Sequence, residues 1–365
     1  TSKLIIKRYR IDKPKAKLVE IGEKEVTPIE CRLRNLTYAA PLYITVACSG
    51  EIVCKETEIK LLDLPVMLKS KIDPLSKMSK RELVEIGEDP RDPGGYFIIN
   101  GSEKVLIIQE DLASNNVLVD KASETSAATH IAKVISASKG RRSQLIIERR
   151  KDGVFYANIR GYRFPAVVLM VALGLASELE IMYSVSLDPE IHAYLIPSIV
   201  HAQDIFPKIE LPPDLTPEER AARENEIRKQ TIEKAVEYIG SRVAIGKPKE
   251  ERIRRAYLLL DEYLLPHIGT DSSEETRLKK AFFIGQMISK IIELMIGRRE
   301  PDDKDHYRNK RFKLAGDRLA QLLRYVMTTT LAREVKSSIE RVYGKTKKVD
   351  LKTALKPGLL TDKIL

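Results

Sequence analysis

The 365-residue chain has no tryptophan, three cysteines and no apolar run long enough to span a bilayer comfortably. Cys31, Cys48 and Cys54 show no CxxC spacing and have no histidine close by, which argues against a short-spaced zinc site. So few cysteines in so large a chain also argue against a disulfide scaffold, so they read as buried free thiols in a reducing compartment, with the cytoplasm as the default expectation. The longest apolar helical stretch, Ala281 to Ile296, contains Lys290 and Glu293 and is too short for a membrane span, and no signal-peptide pattern is present. No GxxxxGK[ST] occurs, and Gly94-Gly95 and Gly240 to Gly246 are too poor in glycine to make a nucleotide-binding loop. Serine–histidine–aspartate and cysteine–histidine sets for nucleophilic catalysis are equally undetectable. His130, His192, His201 and His267 lie apart and read as structural or exposed.

Positive charge is abundant, with 63 Lys and Arg against 52 Asp and Glu, a net charge of +11. From Lys304 to Lys348 thirteen Lys or Arg face four Asp or Glu, a local excess of +9 that makes up most of the total. Lys310, Arg311, Lys313, Lys345, Lys347 and Lys348 suit phosphate contacts, because ammonium and guanidinium groups neutralise a nucleic-acid backbone without reading bases. No aromatic side chain interleaves the lysines after Gly344, so binding there is expected to be salt-sensitive and indifferent to sequence. A solvated charged face fits any one of them equally well. Asp302, Asp303, Asp305 and His306 have the composition of a divalent-metal site. Lys304, Arg308, Lys310 and Arg311 supply enough charge to pair those carboxylates instead, and Asp305 could equally cap a following helix.

The length suits two or three domains, and the pattern is α+β and multidomain, with mixed β-rich modules followed by long C-terminal helices. Strands are expected at 4–9, 43–47 and 52–62, then at 129–135, 143–150 and 154–159, with Lys151-Asp152-Gly153 as a hairpin turn. Ser79 and Glu82 form a capping-box spacing for a helix over 79–86. Further helices are expected at 166–173, 189–195, 216–239 (Thr216 as N-cap, Gly240 as terminator), 252–263, 274–296 and 317–343. Phe282, Met287, Ile291, Leu294 and Met295 read as a core stripe.

The run Asp92-Pro93-Gly94-Gly95-Tyr96-Phe97-Ile98-Ile99-Asn100-Gly101-Ser102-Glu103-Lys104-Val105 carries the most information. A proline–glycine turn feeds a strand at 96–99, Asn100-Gly101 supplies a hairpin turn, and Val105 to Ile108 is expected as a returning apolar strand, buried or covered by another element. This run resembles the second-largest subunit of multisubunit RNA polymerases of the archaeal and eukaryotic type. Arg32 to Leu42, Leu64 to Ser70, Gly240 to Gly246, Leu265 to Ile268 and Asp302 to Arg311 resemble further signatures of that subunit, in the same order. Asp303 to Tyr307 and Ile86 to Pro90 look archaeal.

The resemblance implies a discontinuous protrusion at 1–125 and 266–332, an inserted lobe at 126–265, and the start of a fork at 333–365. It implies a wall of the DNA cleft, support for the RNA–DNA hybrid, and docking of initiation and elongation factors on protrusion and lobe. Arg34, Lys69, Lys104 and Gln109 would face nucleic acid beside Lys310, Arg311, Lys345, Lys347 and Lys348, with Lys104 the first choice because a hairpin would hold it rigidly. The chain begins at Thr1 and stops inside what reads as an ordered segment, so it is expected to be part of a longer subunit. It would belong to a nucleotidyltransferase yet be inactive alone, with no catalytic residue, metal or cofactor of its own. Mg2+ and Zn2+ belong elsewhere in the assembled enzyme, and the other polymerase subunits would be its partners, with no membrane. Two other readings stand beside it, a free-standing nucleic-acid-binding regulator of polymerase-derived fold and a metal-dependent phosphodiesterase centred on Asp302 to His306.

Overall fold

A computed structural model describes residues 3–18, 22–49, 56–138, 141–206 and 217–331, together with 333, 337, 360 and 361. The chain forms two compact units, the first comprising Thr1–Gln109 and Phe312–Leu365, the second Glu110–Arg311. Mixed helix and sheet make this the expected α+β fold.

The first unit opens with β1 (Lys3–Ile11), β2 (Lys15–Leu18), β3 (Gly22–Glu25), α1 (Pro28–Leu33), β4 (Ala39–Ser49), β5 (Thr57–Pro65), α2 (Lys80–Glu85), β6 (Phe97–Ile99) and β7 (Ser102–Lys104). Strands β1, β4 and β5 make an antiparallel sheet, and β2/β3 and β6/β7 are hairpins. Both short helices start at capping boxes, Thr27 with Glu30 and Ser79 with Glu82, so the spacing at Ser79 reads correctly from sequence. Asn100 and Gly101 both adopt positive φ, 51° and 77°, the conformation a two-residue hairpin turn requires.

The returning strand differs from expectation. It is Ser102 to Lys104 that pair with Phe97 to Ile99, while Val105, Leu106, Ile107 and Ile108 have no regular structure and are 68, 40, 82 and 57% exposed. The reason lies in the hydrogen bonds upstream of Phe97. The next ladder bond would need Gly95 N–H to face Leu106, but Gly95 N–H donates to the Leu68 carbonyl at 3.0 Å, so pairing stops at Phe97 and Lys104.

The second unit contains β8 (Gln109–Leu112, entered from the first unit), β9 (Val117–Lys121), β10 (Ala128–Ser138), β11 (Arg141–Arg150), β12 (Phe155–Ile159), β13 (Tyr162–Pro165), α3 (Ala166–Ala172), α4 (Glu178–Val185), α5 (Pro189–Ala193), α6 (Ile196–His201), α7 (Pro217–Val243), α8 (Lys249–Leu258), α9 (Glu274–Met295) and β14 (Lys310–Lys313). Its sheet runs β13-β12-β11-β10-β9, all neighbours antiparallel, and β8 pairs with β14. Val117 and Val119, Ala132 and Val134, Leu145 and Ile147, and Phe155, Ala157 and Ile159 alternate onto one buried face. All seven residues of α3 are buried, as an all-round apolar helix must be. Helix α9 packs on β9, β10, α3 and α4 through Ala281, Ile284, Met287, Ile288, Ile291 and Ile292. Phe282, expected in that stripe, is 48% exposed, because its position points away from the face that Met287 and Ile291 share. Residues 110–125 and 266–311 thus share one core with 126–265, so the edges of this unit differ from the lobe limits that the resemblance implies.

Gly240 does not end α7, which continues to Val243. A Cβ there would lie 2.7 Å from the Arg252 carbonyl oxygen, so glycine lets α7 approach α8 closely. Helix α8 runs on into a π turn, Leu259–Tyr263. In the first unit, α10 (Ala315–Tyr325) leads to a second π turn, Val326–Leu331, whose Val326 and Leu331 join Leu42, Val46 and Leu62 in a core. The rest of the helix expected to 343, Thr216 and the side chains of Cys48 and Cys54 lie outside the described residues. Cys31 is buried and free, and burial pushes its thiol up to about 11.

Candidate nucleic-acid interface

The three N-terminal sequence motifs converge on one small core of Val26, Cys31, Tyr38, Ala40, Val66, Leu68 and Ile98. Tyr38 N–H donates to the Ile98 carbonyl at 2.9 Å, and Val66 N–H donates to the Tyr38 carbonyl at 3.0 Å. Thr37 holds the hairpin turn by accepting from Asn100 N–H at 3.1 Å. Beneath it Asp73, fully buried, accepts from Tyr38 OH at 2.8 Å, Lys69 N–H at 2.6 Å and Leu75 N–H at 3.1 Å. Burial, with Asp73 beside it, drives the Tyr38 phenol far above its usual range.

Arg32, on α1, ties the hairpin down. Its Nε donates to Glu103 at 2.7 Å, Nη1 to Glu88 at 3.1 Å and Nη2 to Tyr96 OH at 2.8 Å. Burial opposes its charge, but these partners prevail and raise its pKa. Tyr96 in turn donates to Asp92, and burial together with that bond pushes its phenol up to about 12.

On this frame the expected contact residues stand in different situations. Lys104 ends β7, and Arg34 caps the C-terminus of α1. Both are exposed, and neither has an ion-pair partner among the described residues. Gln109 is exposed at the start of β8. Lys69 is half-buried at φ 58°, and its ammonium donates to the Asp92 carbonyl, so it braces the Pro93-Gly94 turn. Lys104 also lines a cavity of about 530 Å³ with Phe97, Ile99, Val105, Leu106 and Leu322.

In the second unit, Lys310 bonds Glu110 at 2.5 Å and Asp305 at 3.3 Å, and the Glu110 bond leads in raising its pKa. Arg311 is exposed and donates to the carbonyls of Arg308 at 3.0 Å and Lys310 at 2.7 Å. Lys345, Lys347 and Lys348 lie outside the described residues.

The acidic run nearby is committed to structure. Asp302 accepts from Val119 N–H at 2.9 Å and pairs with Arg299 at 2.8 Å. Asp303 accepts from Asp305 N–H at 2.8 Å, and Asp305 pairs with Lys310. The cap of the short turn Tyr307–Asn309 is His306, which accepts from Arg308 N–H at 3.2 Å, and not Asp305. Among the described residues no group of three or more His, Cys, Asp and Glu is placed to hold a metal ion.

Sequence reasoning missed two anchors. Arg32 opens the motif Arg32 to Leu42, but its partners lie 56 to 71 residues away, which no local pattern reveals. Asp73 caps the turn Pro74–Lys77, so the Asp-Pro pair is the local signal that could have marked it, yet its bond to Tyr38 is tertiary.

Residues 1–362 match the family described as RNA polymerase beta subunit. The chain is 44% identical over 365 residues to DNA-directed RNA polymerase subunit Rpo2 of Saccharolobus solfataricus, covering 99% of this chain and 30% of that protein. It is 38% identical over 364 residues to subunit Rpo2N of Methanococcus vannielii, covering 98% of this chain and 68% of that one. Similarity to Rpo2N of Methanocaldococcus jannaschii is also 38%, over 99% of this chain and 69% of the relative. The chain therefore spans about a third of the length of the Rpo2 relatives and about two thirds of the Rpo2N ones.

Proposed function

The chain belongs to the RNA polymerase beta subunit family, and from that membership we propose that it is part of a DNA-directed RNA polymerase, contributing cleft wall and hybrid support rather than nucleotidyl transfer. The match along residues 1–362 carries this reading. The first unit acts as the protrusion, and the second contains the lobe, which shares its core with flanking residues. Exposed Lys104 and Arg34, standing on a rigidly braced hairpin and helix end, meet phosphates of the template or hybrid; Arg311, and separately Lys345, Lys347 and Lys348, are further phosphate contacts. Lys69 and Lys310 serve mainly as braces, since Lys69 is half-buried on the Asp92 carbonyl and Lys310 is ion-paired with Glu110 and Asp305. Mg2+ and Zn2+ sit elsewhere in the assembled cytoplasmic enzyme, and the chain alone is inactive.

The apolar run Val105 to Ile108 supports assembly with other polymerase segments, because contiguous exposed aliphatics mark contact surfaces. Initiation and elongation factors dock on the outer faces of protrusion and lobe. The test is reconstitution of polymerase with this chain, followed by hybrid binding across a salt series. Replacing Lys104, Lys345, Lys347 and Lys348 by Ala is expected to weaken binding and to lower the slope of log K against log salt by about 0.7 to 0.9 per lost phosphate contact. An unchanged slope refutes the contact assignment. Failure of the wild-type chain to enter the polymerase refutes the subunit reading itself.

A further inference from the structure

In the second unit, the turn Arg160-Gly161 between β12 and β13 faces the outer side of α8 across an open groove of about 560 Å³. Arg160, Tyr162, Arg254, Arg255, Leu258 and Tyr263 line it, with Glu251 at its edge. None of these residues takes part in the interface described above.

Three features give the groove a chemical preference. The first is charge, since three arginines against one glutamate leave an excess of +2. Glu251 is already saturated, accepting from Arg254 at 2.7 Å and Arg255 at 2.9 Å, and those bonds hold its carboxyl below the usual range. The second is an unclaimed cation. Arg160 has no carboxylate partner among the described residues, and its guanidinium stands 4.1 Å over the Tyr263 ring. That contact, on a turn whose two residues have φ 51° and 85°, holds the guanidinium beside the ring and leaves its N–H donors without a protein acceptor among the described residues. The third is apolar surface between the charges, with Leu258 46% and Tyr162 38% exposed. A phosphate backbone would satisfy the arginines but leave Leu258 uncovered. A polypeptide carrying Asp or Glu beside a large apolar side chain satisfies both.

We propose that this groove is a docking site for an acidic, leucine- or phenylalanine-bearing segment of a partner protein, with Arg160 as its specificity-determining cation. A ligand carboxylate takes the open edge of Arg160, its neighbour meets the solvent side of Arg254, and the apolar side chain between them covers Leu258. The inference deepens the docking role proposed above for the second unit and rests on that reading only in naming a protein partner. Its geometry stands without the family assignment.

The test uses the full chain and a fluorescein-labelled peptide alternating Glu and Leu, followed by anisotropy, with a Lys–Leu peptide and oligodeoxythymidylate as comparators. Saturable binding of the Glu–Leu peptide alone is expected, weakened about tenfold by Arg160→Glu and by Leu258→Glu. Arg160 is exposed, so an unchanged circular dichroism melt is expected for its variant; Arg254→Glu provides a second reading. No peptide binding overturns the proposal, as does binding indifferent to Arg160→Glu and Arg254→Glu, or tighter binding of the oligonucleotide through the same arginines. Reconstitution of Arg160→Glu chain into polymerase separates the two readings: normal entry with lost peptide binding isolates the groove, whereas failure of wild-type entry concerns only the subunit assignment.

Discussion

Lys280 is fully buried on α9, where its ammonium donates to the carbonyls of Leu260 at 2.9 Å and Asp261 at 2.7 Å. Those carbonyls belong to the π turn that follows α8, so the lysine secures the point where α8 gives way to the Leu264-Leu265 connection. Burial disfavours the charged form, only partly offset by Asp261 and Asp271, and pushes the pKa from 10.5 down to about 8. Between those values the unfolded chain binds more protons than the folded one, so stability must rise with pH there. At about 1.4 kcal/mol per pK unit the full gain is roughly 3 kcal/mol, most of it realised by pH 10. The assay is urea unfolding followed by far-ultraviolet circular dichroism from pH 7 to pH 10, comparing the chain with Lys280→Met, so that every other titration cancels in the difference. The stability of the native chain relative to the variant should climb by about 2 to 3 kcal/mol across that range. A flat or falling difference would refute the reasoning, since it would mean that the two carbonyls and the nearby acids compensate fully for desolvation.

Gly240→Ala would gain about 1 kcal/mol if helix propensity alone mattered. Because its Cβ would lie 2.7 Å from the Arg252 carbonyl, a net loss of about 1 to 3 kcal/mol is expected in thermal unfolding, and a gain would show that α7 and α8 are not in close contact. Tyr38→Phe removes a buried donor to the Asp73 carboxylate, which should cost about 1.5 to 3 kcal/mol by urea titration; no change would mean the phenol is replaceable by water. Ile107→Asp alters a side chain that is 82% exposed, so the isolated chain should keep its melting behaviour while incorporation into polymerase falls, and normal incorporation would refute a contact at that run.

Short-range chemistry was legible wherever a few adjacent residues decide the outcome. The capping box at Ser79, the Asn100-Gly101 turn and the long α9 all follow from local backbone and side-chain preference, and they formed as expected. The misreadings share a cause. Val105 to Ile108 have the composition of a buried strand, Phe282 sits in an apolar helix, and Gly240 has the look of a helix stop. Each was decided by what lies opposite, respectively the backbone of Leu68, the face of α9 that meets the sheet, and the carbonyl of Arg252.

The candidate contact residues show the same division. The resemblance put forward Arg34, Lys69 and Lys104 and the basic C-terminal stretch put forward Lys310, but tertiary packing distinguishes Lys104 and Arg34, which have no ion-pair partner among the described residues, from Lys69 and Lys310, which are engaged. By itself the sequence determined the family, the α+β class and the concentration of positive charge, because ordered motifs and side-chain identities are properties of the chain. Only the tertiary structure decided which cations remain available, which apolar residues stay uncovered and where Arg160 finds Tyr263, because those depend on partners roughly a hundred residues distant in the case of Arg160 and on how burial weighs against charge.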